Sequence, residues 1–469
     1  MSFKKRFTLG LLVLVFFAVG AIRAEPTNGP LRVCADNPRY FADRNGEAVL
    51  LTGSHVWYNL VDMGPEDPPR PFDYEAYLEW MKERNHNFMR MWAWEMTQWD
   101  TRGNNPNFRN KLTTFYVKPH PWSRTGPGKA LDGKLKFDLT RFDPTYFKRL
   151  RQRVAAARKE GIYVSIMLFE GWAMQRIEDG WRLHPFHPQN NINGVDGDLN
   201  GDGRGLEVHE LAVRAVTDIQ KAYIRKVVDT VNDLDNVLYE ISNENHLEST
   251  PWQYAMIRYI REYEKSKPVQ HPIGMTFQFK GGTNQDLFDS PADWISPNPV
   301  GGYRDDPPPN DGAKVILNDT DHLWGIGGNQ AWVWKSFMRG MNPIFMDPYD
   351  GVVLGNRFDP KFEPLRRSMG YALQFADRLD LNQCKPLGSL STRRYCLAHP
   401  GREYLVYQAT DKKPLGLKLR PGKYRFEWFD PGTGQTVTKG RLSADKKENM
   451  FSSPVDGEAV LYVYSSETE

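Results

Sequence analysis

The residues best suited to chemistry in this sequence stand directly after two apolar runs. One run, VLYEIS, passes without a turn residue into Asn243 and Glu244. The other, KVILN, passes into Asp319, and Asp321 follows two residues later. Short runs of this kind, rich in β-branched residues, are typical of buried strands. Carboxyl groups at two strand ends could act as a pair, one protonated as a general acid and the other ionised as a nucleophile.

A second group of oxygen-bearing side chains occupies DGDLNGDGRGLE, residues 196–207. This segment matches the calcium-loop pattern D-x-[DN]-x-[DN]-G-x5-E at every position. Arg204 at position nine is unusual, and no helix obviously precedes the loop, so it is not a complete EF-hand. The alternative is a flexible acidic, glycine-rich loop. The predicted ligands of a structural Ca2+ are Asp196, Asp198, Asn200, the backbone carbonyl of Asp202, and Glu207.

The elements that must position these residues alternate regularly along the chain. Strand patterns are followed by amphipathic helical patterns, and the repeat favours a (β/α)8 barrel over an open doubly wound sheet. The first strand also lacks the Gly-x-Gly-x-x-Gly turn of a dinucleotide-binding fold. In such a barrel the active site lies at the C-terminal ends of the strands. The candidate strands are 48–55, 87–92, 162–169, 236–242, 272–277, 293–298, 313–319 and 342–347.

The two ends of the chain differ from this repeat. A basic KKR triplet, an apolar run and small residues predict a secretory signal peptide over residues 1–24, with an uncleaved anchor as the alternative. Short alternating strands separated by turn signals predict a small antiparallel β-sandwich over residues 381–469. The barrel then occupies residues 25–380. We expect a secreted or periplasmic protein that does not remain in the membrane after cleavage.

Composition excludes some classes of function and leaves others open. The net charge of +3 is spread over 61 basic and 58 acidic residues without a basic stripe, so nothing indicates nucleic-acid binding. Export would permit a disulfide, and Cys384 and Cys396 are close enough in sequence to pair, a question that the sequence leaves open. The 14 tryptophans suit either barrel packing or the flat faces of sugars.

The Asn-Glu pair at the end of the fourth strand resembles the large clan of retaining glycosidases built on (β/α)8 barrels. The resemblance implies a glycoside hydrolase acting on carbohydrate, with Glu244 as acid/base and Asn243 holding the sugar's 2-hydroxyl. It also implies a nucleophile at the end of the seventh strand, where Asp319 is preferred and Asp321 competes. Because Asp is shorter than the clan's usual Glu, the carboxyl separation could widen from about 5–5.5 Å toward the inverting range of about 6.5–9.5 Å.

Longer stretches extend the resemblance to a bacterial group with a second domain. The stretches are RYFADRNGEAVLLTGSHVW, WRLHPFHPQNNINGVDGD, NDTDHLWG and YRFEWFDPGTGQ. They are similar to proteins that join an apiosidase-like barrel to a C-terminal domain labelled collagen-binding. That label implies little about a ligand, because such a sandwich can simply buttress the barrel.

Other residues near strand ends are candidates for binding substrate. Arg90, near the end of the second strand, could hold the nucleophile ionised through charge-assisted hydrogen bonds. Each of the others also has a structural alternative, in core packing, capping or loop structure. The remaining candidates are His55, Trp57, Trp94, Glu95, Glu170, His246, His322 and Asp347.

The main alternative function is a catalytically inactive glycan- or matrix-binding protein that uses the barrel mouth or the sandwich. A calcium-dependent metallohydrolase is disfavoured, because the ten histidines include no His-x-His or His-Glu-x-x-His cluster. The sugar, the linkage and the anomer are not predicted.

Overall fold

The structure is a computed structural model that describes residues 26–100, 114–177, 180–354, 360–409, 413–445 and 448–466. The signal peptide predicted over residues 1–24 lies outside these ranges. Across the described residues, no helix has the length and apolar character needed to span a membrane.

Eight parallel strands form the central sheet, and each overlaps a strand predicted from the sequence. Their order in the sheet follows the chain from the second strand to the eighth, with the first strand beside the eighth. Strands of a parallel barrel are buried on both faces, which explains why they appear as nearly continuous apolar runs. The strands are β1 (Gly53–His55), β2 (Phe88–Met91), β3 (Tyr163–Glu170), β4 (Val237–Asn243), β5 (Ile273–Thr276), β6 (Trp294–Ser296), β7 (Val315–Asp319) and β8 (Asn342–Met346).

The sheet closes where β1 meets β2. The backbone N–H of Asn87 donates to the Thr52 carbonyl at 3.0 Å, and the Asn87 side chain accepts the Thr52 N–H at 2.9 Å. A Cβ at Gly53 would lie 2.2 Å from the Phe88 carbonyl oxygen, so this close approach requires glycine. The predicted (β/α)8 barrel is confirmed.

Helices follow most of the strands and bury one face each against the sheet. In the helix that begins at Pro144, Asp143 caps the first turn by accepting the Thr145 N–H at 2.8 Å, and Pro144 occupies the first helical position, where its missing N–H costs nothing. The helices are α1 (Tyr74–Glu83), α2 (Pro144–Lys159), α3 (Trp172–Arg176), α4 (Arg214–Val231), α5 (Thr250–Glu264), α6 (Asn284–Phe288), α7 (Thr320–Leu323), α8 (Gln330–Met338) and α9 (Glu363–Ala376).

An apolar layer fills the N-terminal part of the barrel and supports the polar groups above it. Phe88, Leu238, Trp294 and Leu317 belong to this buried cluster. Gly274 makes room for the Trp294 indole, since a Cβ there would lie 1.8 Å from the ring. Side chains at the C-terminal strand ends therefore rest on a closely packed base.

Several connections carry strands of their own, and three short helical turns lie in the loops around the mouth. Among the described residues that precede the C-terminal region, three small antiparallel sheets lie outside the barrel. Their strands are Arg32–Val33, Phe41–Ala42 and Ala48–Val49; Asp62–Gly64, Gln98–Asp100 and Thr114–Lys118; and Trp122–Lys129 with Leu135–Phe142. The turns are 3-10 helices over Trp181–Leu183, Leu206–His209 and Leu247–Ser249.

The C-terminal region forms two antiparallel sheets, one of six strands and one of two. In the six-stranded sheet the strands at 385–386, 396–399, 403–408, 459–465, 422–430 and 435–444 lie side by side in that order. The strands at 415–417 and 449–451 pair separately, and whether the two sheets make a sandwich stays a prediction. The strands are β9 (Lys385–Pro386), β10 (Cys396–His399), β11 (Glu403–Gln408), β12 (Leu415–Leu417), β13 (Gly422–Asp430), β14 (Gln435–Ala444), β15 (Asn449–Phe451) and β16 (Ala459–Ser465).

One face of this region packs on the barrel. Phe429 of β13 lies 5.2 Å from Phe375 of α9 and 6.2 Å from Trp334 of α8, measured between ring centroids. The bridge that the sequence left open between Cys384 and Cys396 is not formed, and both thiols are free and buried.

Candidate active site

Arg90 of β2 lies at the centre of the polar groups in the barrel mouth. Its guanidinium is 1 % exposed and donates to four side chains. The Glu240 carboxylate accepts from Nε and Nη2 at 2.9 and 2.6 Å, and Asn243 Oδ1 accepts from Nη2 at 2.5 Å. Asp319 and Asp321 each accept from Nη1 at 3.0 Å. One cation therefore joins β4 to β7 across the mouth, and the proposed role of Arg90 in keeping a nucleophile ionised stays a prediction.

Asp319 is completely enclosed. His55 Nδ1 accepts the Trp92 indole N–H at 3.0 Å, so His55 Nε2 carries the proton and donates to Asp319 at 2.9–3.1 Å. The other contacts of the Asp319 carboxylate are Arg90 and the Asp321 backbone N–H, which α7 aims at it. Burial alone would raise the pKa of Asp319, but His55 and Arg90 hold that pKa below its usual range.

Asp321 is held on one side only. Its Oδ2 accepts from Arg90, and no described residue donates a hydrogen bond to its Oδ1. The residue is 7 % exposed, whereas Asp319 is 0 % exposed. Burial raises the pKa of Asp321, and the neighbouring charge of Asp319 adds to this effect against the opposing charge of Arg90. Of the two Asp residues, Asp321 keeps an oxygen available to a ligand.

Asn243 is oriented by donors on its carbonyl oxygen. His322 Nε2 donates to Asn243 Oδ1 at 3.1 Å, and Ser296 donates its hydroxyl proton to His322 Nδ1 at 2.6 Å. Burial, with the charge of Arg90, lowers the pKa of His322 well below its usual range, which keeps the ring neutral. Since Oδ1 is occupied by Arg90 and His322, Asn243 presents its Nδ2 protons to a ligand.

Glu244 stands in strained backbone beside this group. Its φ of +42° lies in the left-handed region, and Thr276 Oγ1 and Gln175 Nε2 hold its backbone N–H and carbonyl at 3.2 and 2.8 Å. Non-glycine residues in this region cluster at functional sites. No described residue donates to the Glu244 carboxylate. Burial raises the pKa of Glu244 well above its usual range, and the charge of Asp321 raises it further.

Glu170 and Glu95 form a second pair of buried carboxylates next to Glu244. Glu170 ends β3 and accepts the backbone N–H groups of Trp172 and Ala173, so it caps α3. Glu95 accepts the Glu170 backbone N–H at 2.9 Å. Burial raises the pKa of Glu170 well above its usual range. Both carboxylates therefore already accept hydrogen bonds from protein donors.

Two histidines from the β3–β4 connection hold Glu95. His184 Nε2 donates to Glu95 Oε1 at 3.3 Å, and His209 Nε2 lies 2.9 Å from Glu95 Oε2. Burial alone would raise the pKa of Glu95, but His209 and His184 hold it below its usual range. Glu95 therefore joins this long connection to the barrel mouth.

The aromatic candidates form a packed wall. Trp57 lies 5.3 Å from Trp92, 5.6 Å from Trp94 and 5.1 Å from Trp172 between ring centroids. Trp94 also stacks on Trp99, and its indole N–H donates to the Trp57 carbonyl. Trp172 is the member of this wall left half-buried, whereas Trp57 and Trp94, which were predicted to bind substrate, are buried.

Two other predicted binding residues are occupied by the protein itself. Asp347 is fully buried and accepts from Arg366 at 2.6 and 2.8 Å and from Ser54 at 3.0 Å. His246 bonds Asn245 at 2.8 Å and Glu210 at 3.1 Å. Both residues shape the loops of the mouth.

Sequence reasoning missed Glu240 and Ser296. Glu240 is 0 % exposed in the middle of β4, and a carboxylate inside an apolar strand is itself a signal of a buried cationic partner. Ser296 carried no such signal, because a lone serine in a strand is common. Its role depends on His322, which is far away in the sequence.

The predicted calcium ligands lie in the connection between β3 and β4, in a loop stabilised by its own hydrogen bonds. Asp198 Oδ2 accepts the Gly203 N–H at 2.9 Å, and Asn200 Oδ1 accepts the Asp202 N–H at 2.8 Å. Among the residues that the structure describes, no three histidine, cysteine or acidic side chains are arranged as a metal centre.

Replacing Arg90 by Met should lower the free energy of unfolding by about 3–5 kcal/mol, because it leaves three buried carboxylates without their cation. Urea unfolding followed by tryptophan fluorescence measures the change. The control is Arg214→Met, since Arg214 is 94 % exposed in its ion pair and should contribute less than about 1 kcal/mol. Equal stability of Arg90→Met and the wild type would contradict this interpretation of the ion cluster.

Comparison with known proteins bears on the fold of the chain. The model of a domain of unknown function, DUF6298, matches residues 109–284, which include Glu170 and Glu244. No curated protein matches the chain. The match covers less than half of the 469 residues.

Solved structures share the architecture at low sequence identity. A family 5 glycoside hydrolase from Bacteroides vulgatus superposes with a TM-score of 0.61 and 13 % identity, over 94 % of this chain and 95 % of that one. Another structure, described as a glycoside hydrolase, gives a TM-score of 0.54 and 14 % identity, over 94 % of this chain and 98 % of that one. The chain therefore has the (β/α)8-barrel fold that these hydrolases also adopt.

Proposed function

We propose that the protein is a glycoside hydrolase with Glu244 as acid/base and Asp321 as nucleophile. The observation that carries the proposal is the pairing of two carboxyl groups with opposite surroundings at the ends of β4 and β7. Glu244 receives no hydrogen bond from a described residue and keeps its proton, whereas Asp321 is bound to Arg90. One acid and one anion are what cleavage of a glycosidic bond by two carboxyl groups requires.

The choice of Asp321 differs from the preference for Asp319 drawn from the sequence. A nucleophile needs an oxygen that can approach the anomeric carbon. Asp319 has both oxygens bound to protein donors and is fully buried. Asp321 has a free oxygen and stays bound to Arg90, so we assign Asp319 the role of holding Arg90 and α7 in place.

The reaction follows from these positions. Asp321 attacks the anomeric carbon while Glu244 donates its proton to the leaving oxygen, which gives a glycosyl ester and a free alcohol. Glu244, now ionised, removes a proton from water, and the water oxygen displaces Asp321 from the anomeric carbon. Asn243 Nδ2 donates a hydrogen bond to an oxygen substituent on the sugar ring. Two displacements at the same carbon retain the anomeric configuration.

Other parts of the proposal rest on the sequence. The substrate is a poly- or oligosaccharide, and the protein is exported to the periplasm or the medium by its N-terminal segment. The C-terminal sheets form a β-sandwich like the collagen-binding-labelled domain of the apiosidase-like group. Because Phe429 packs against α8 and α9, we assign this region the role of supporting the barrel.

The test is release of sugar from a broad glycan panel by the purified mature protein, run beside Glu244→Gln. We expect release by the wild type and at least a hundredfold less by the variant, as loss of a general acid costs about 10²–10⁴-fold. Glu248→Gln is the matched control, because Glu248 is exposed nearby and should keep full activity.

If the wild type releases no sugar from any glycan of the panel, the hydrolase proposal is rejected and the glycan- or matrix-binding alternative is favoured. Equal release by the wild type and Glu244→Gln would reject Glu244 as the acid. Binding of the glycan by Glu244→Gln, without release, would support a role in the chemical step.

A further inference from the structure

The loop of residues 196–207 takes no part in the proposed reaction, yet it is closed on itself. A Cβ at Gly197 would lie 2.3 Å from Val208 Cγ1, so the start and the end of the loop are in contact. Trp181 packs against the same backbone, 2.2 Å from a Cβ built at Gly205 and 2.9 Å from the one at Gly197. The backbone next to Asp196, the first acidic residue of the loop, is thereby brought close to the backbone next to Glu207, the last.

Two carboxylate oxygens in this loop are buried without a partner. Glu207 is 7 % exposed, and no described residue donates to its buried Oε2. Asp198 Oδ1 is likewise buried and unpartnered, although Asp198 Oδ2 is turned into the loop and accepts the Gly203 N–H. A buried carboxylate oxygen without a donor is costly, so a cation is expected beside it.

We infer that residues 196–207 bind one Ca2+ ion, with Glu207 closing the site. The two unpartnered oxygens occupy positions three and twelve of the loop, which ligate calcium in such loops. Carboxylate, amide and carbonyl oxygens are the ligands that Ca2+ prefers over transition metals. Since no three acidic side chains of the described residues are already arranged to hold a metal ion, binding draws the side chains of Asp196, Asp198 and Glu207 inward.

The position of the loop gives the ion a structural role near the site. Glu207 and His209 lie in the same 3-10 turn, and His209 Nε2 is 2.9 Å from Glu95. Glu95 in turn accepts the backbone N–H of Glu170. The bound ion therefore fixes the β3–β4 connection against the barrel mouth, and it activates no water.

The test is titration of the full mature chain with CaCl2, after chelation and desalting, by calorimetry and by thermal unfolding. We expect a dissociation constant of about 10⁻⁴–10⁻³ M, the range of extracellular calcium loops, and a rise in Tm that MgCl2 does not reproduce. Glu207→Gln should raise the dissociation constant about tenfold or more, because it removes the bidentate ligand. Asp202→Asn is the matched control and should change it less than about threefold, since position seven ligates through its carbonyl.

Terbium luminescence reports where in the protein the ion binds. Tb3+ takes the oxygen ligands of Ca2+, and excitation of Trp181 beside the loop should sensitise its emission. Trp181→Phe should lower that emission, and added CaCl2 should quench it by displacement.

No heat and no shift in Tm with about 10 mM CaCl2, ten times the upper end of the expected range, would overturn the inference. Equal affinity of Glu207→Gln and the wild type would overturn it too, because the ion would then bind elsewhere. The titration needs no glycan, so its result is independent of the proposed hydrolase function.

Discussion

Replacement of Asp321 by Asn should lower kcat/KM for glycan hydrolysis by about 10⁴-fold or more, the scale on which one member of a catalytic group acts. The amide cannot form the glycosyl ester. Its oxygen can still accept from Arg90 Nη1, now 3.0 Å from the Asp321 carboxylate, so the fold should be kept. Steady-state kinetics on the glycan identified by the panel measure the loss, and an unchanged Tm shows that the loss is chemical.

A comparison with the Asp319→Asn variant decides which of the two Asp residues is the nucleophile. Asp319→Asn should lower Tm, because it weakens the contacts to His55 and Arg90, and should cost less activity than Asp321→Asn. A 2-deoxy-2-fluoro glycoside of the cleaved sugar should trap the glycosyl ester, and peptide mapping by mass spectrometry should find it on Asp321. A label on Asp319 would contradict the assignment and restore the preference drawn from the sequence.

The barrel strands could be predicted from the sequence because the pattern that identifies a buried parallel strand lies within the strand's own residues. A parallel strand buried on both faces needs an apolar run, and the run predicted at 162–169 corresponds to β3 at Tyr163–Glu170. The hairpin of Trp122–Lys129 and Leu135–Phe142 has no such pattern. It depends on distant partners, such as Asn193, whose side chain accepts the Leu139 N–H at 2.7 Å. Contacts of that kind leave no mark in the hairpin's own residues.

The candidate site was only partly predictable for a related reason. Strand ends indicate which residues reach the mouth, and Glu244, Asn243 and Arg90 are found there together. The pattern does not indicate which oxygens are already bound. Asp319 and Asp321 look equivalent in the sequence, and only the contacts with His55 and Arg90 separate the enclosed carboxylate from the accessible one.

The charges of the buried carboxyl groups limit which protonation states the site can adopt, and neither the residue spacing nor the family resemblance indicates this limit. Glu244, Glu170 and Asp321 are buried near each other, and one guanidinium cannot neutralise them all. Like charges in a dry site raise one another's pKa. The site therefore holds a proton at neutral pH, and Glu244, without a donor, is the group best placed to carry it.

Glu244→Gln should lose about 10²–10⁴-fold in activity when the leaving group is a sugar. The same variant should lose far less on a dinitrophenyl glycoside of the same sugar, because that leaving group departs without a proton. The wild type should also show a bell-shaped pH profile. Its acid limb, from protonation of Asp321, should lie above the pKa of about 3.9 of an ordinary Asp, since burial raises the pKa of this group.

The alkaline limb belongs to Glu244, because rising pH removes the proton that the leaving oxygen needs. Burial and the charge of Asp321 raise the pKa of Glu244 well above its usual range, so this limb should lie far above the pKa of about 4.3 of a free Glu. Glu244→Gln has no carboxyl proton to lose at high pH, so its pH profile on the dinitrophenyl glycoside should be flat in the alkaline range. The acid limb of that profile should remain. If the alkaline limb persists in Glu244→Gln, another group carries the proton, and Glu170, the other buried carboxyl group with a raised pKa, becomes the acid to test next.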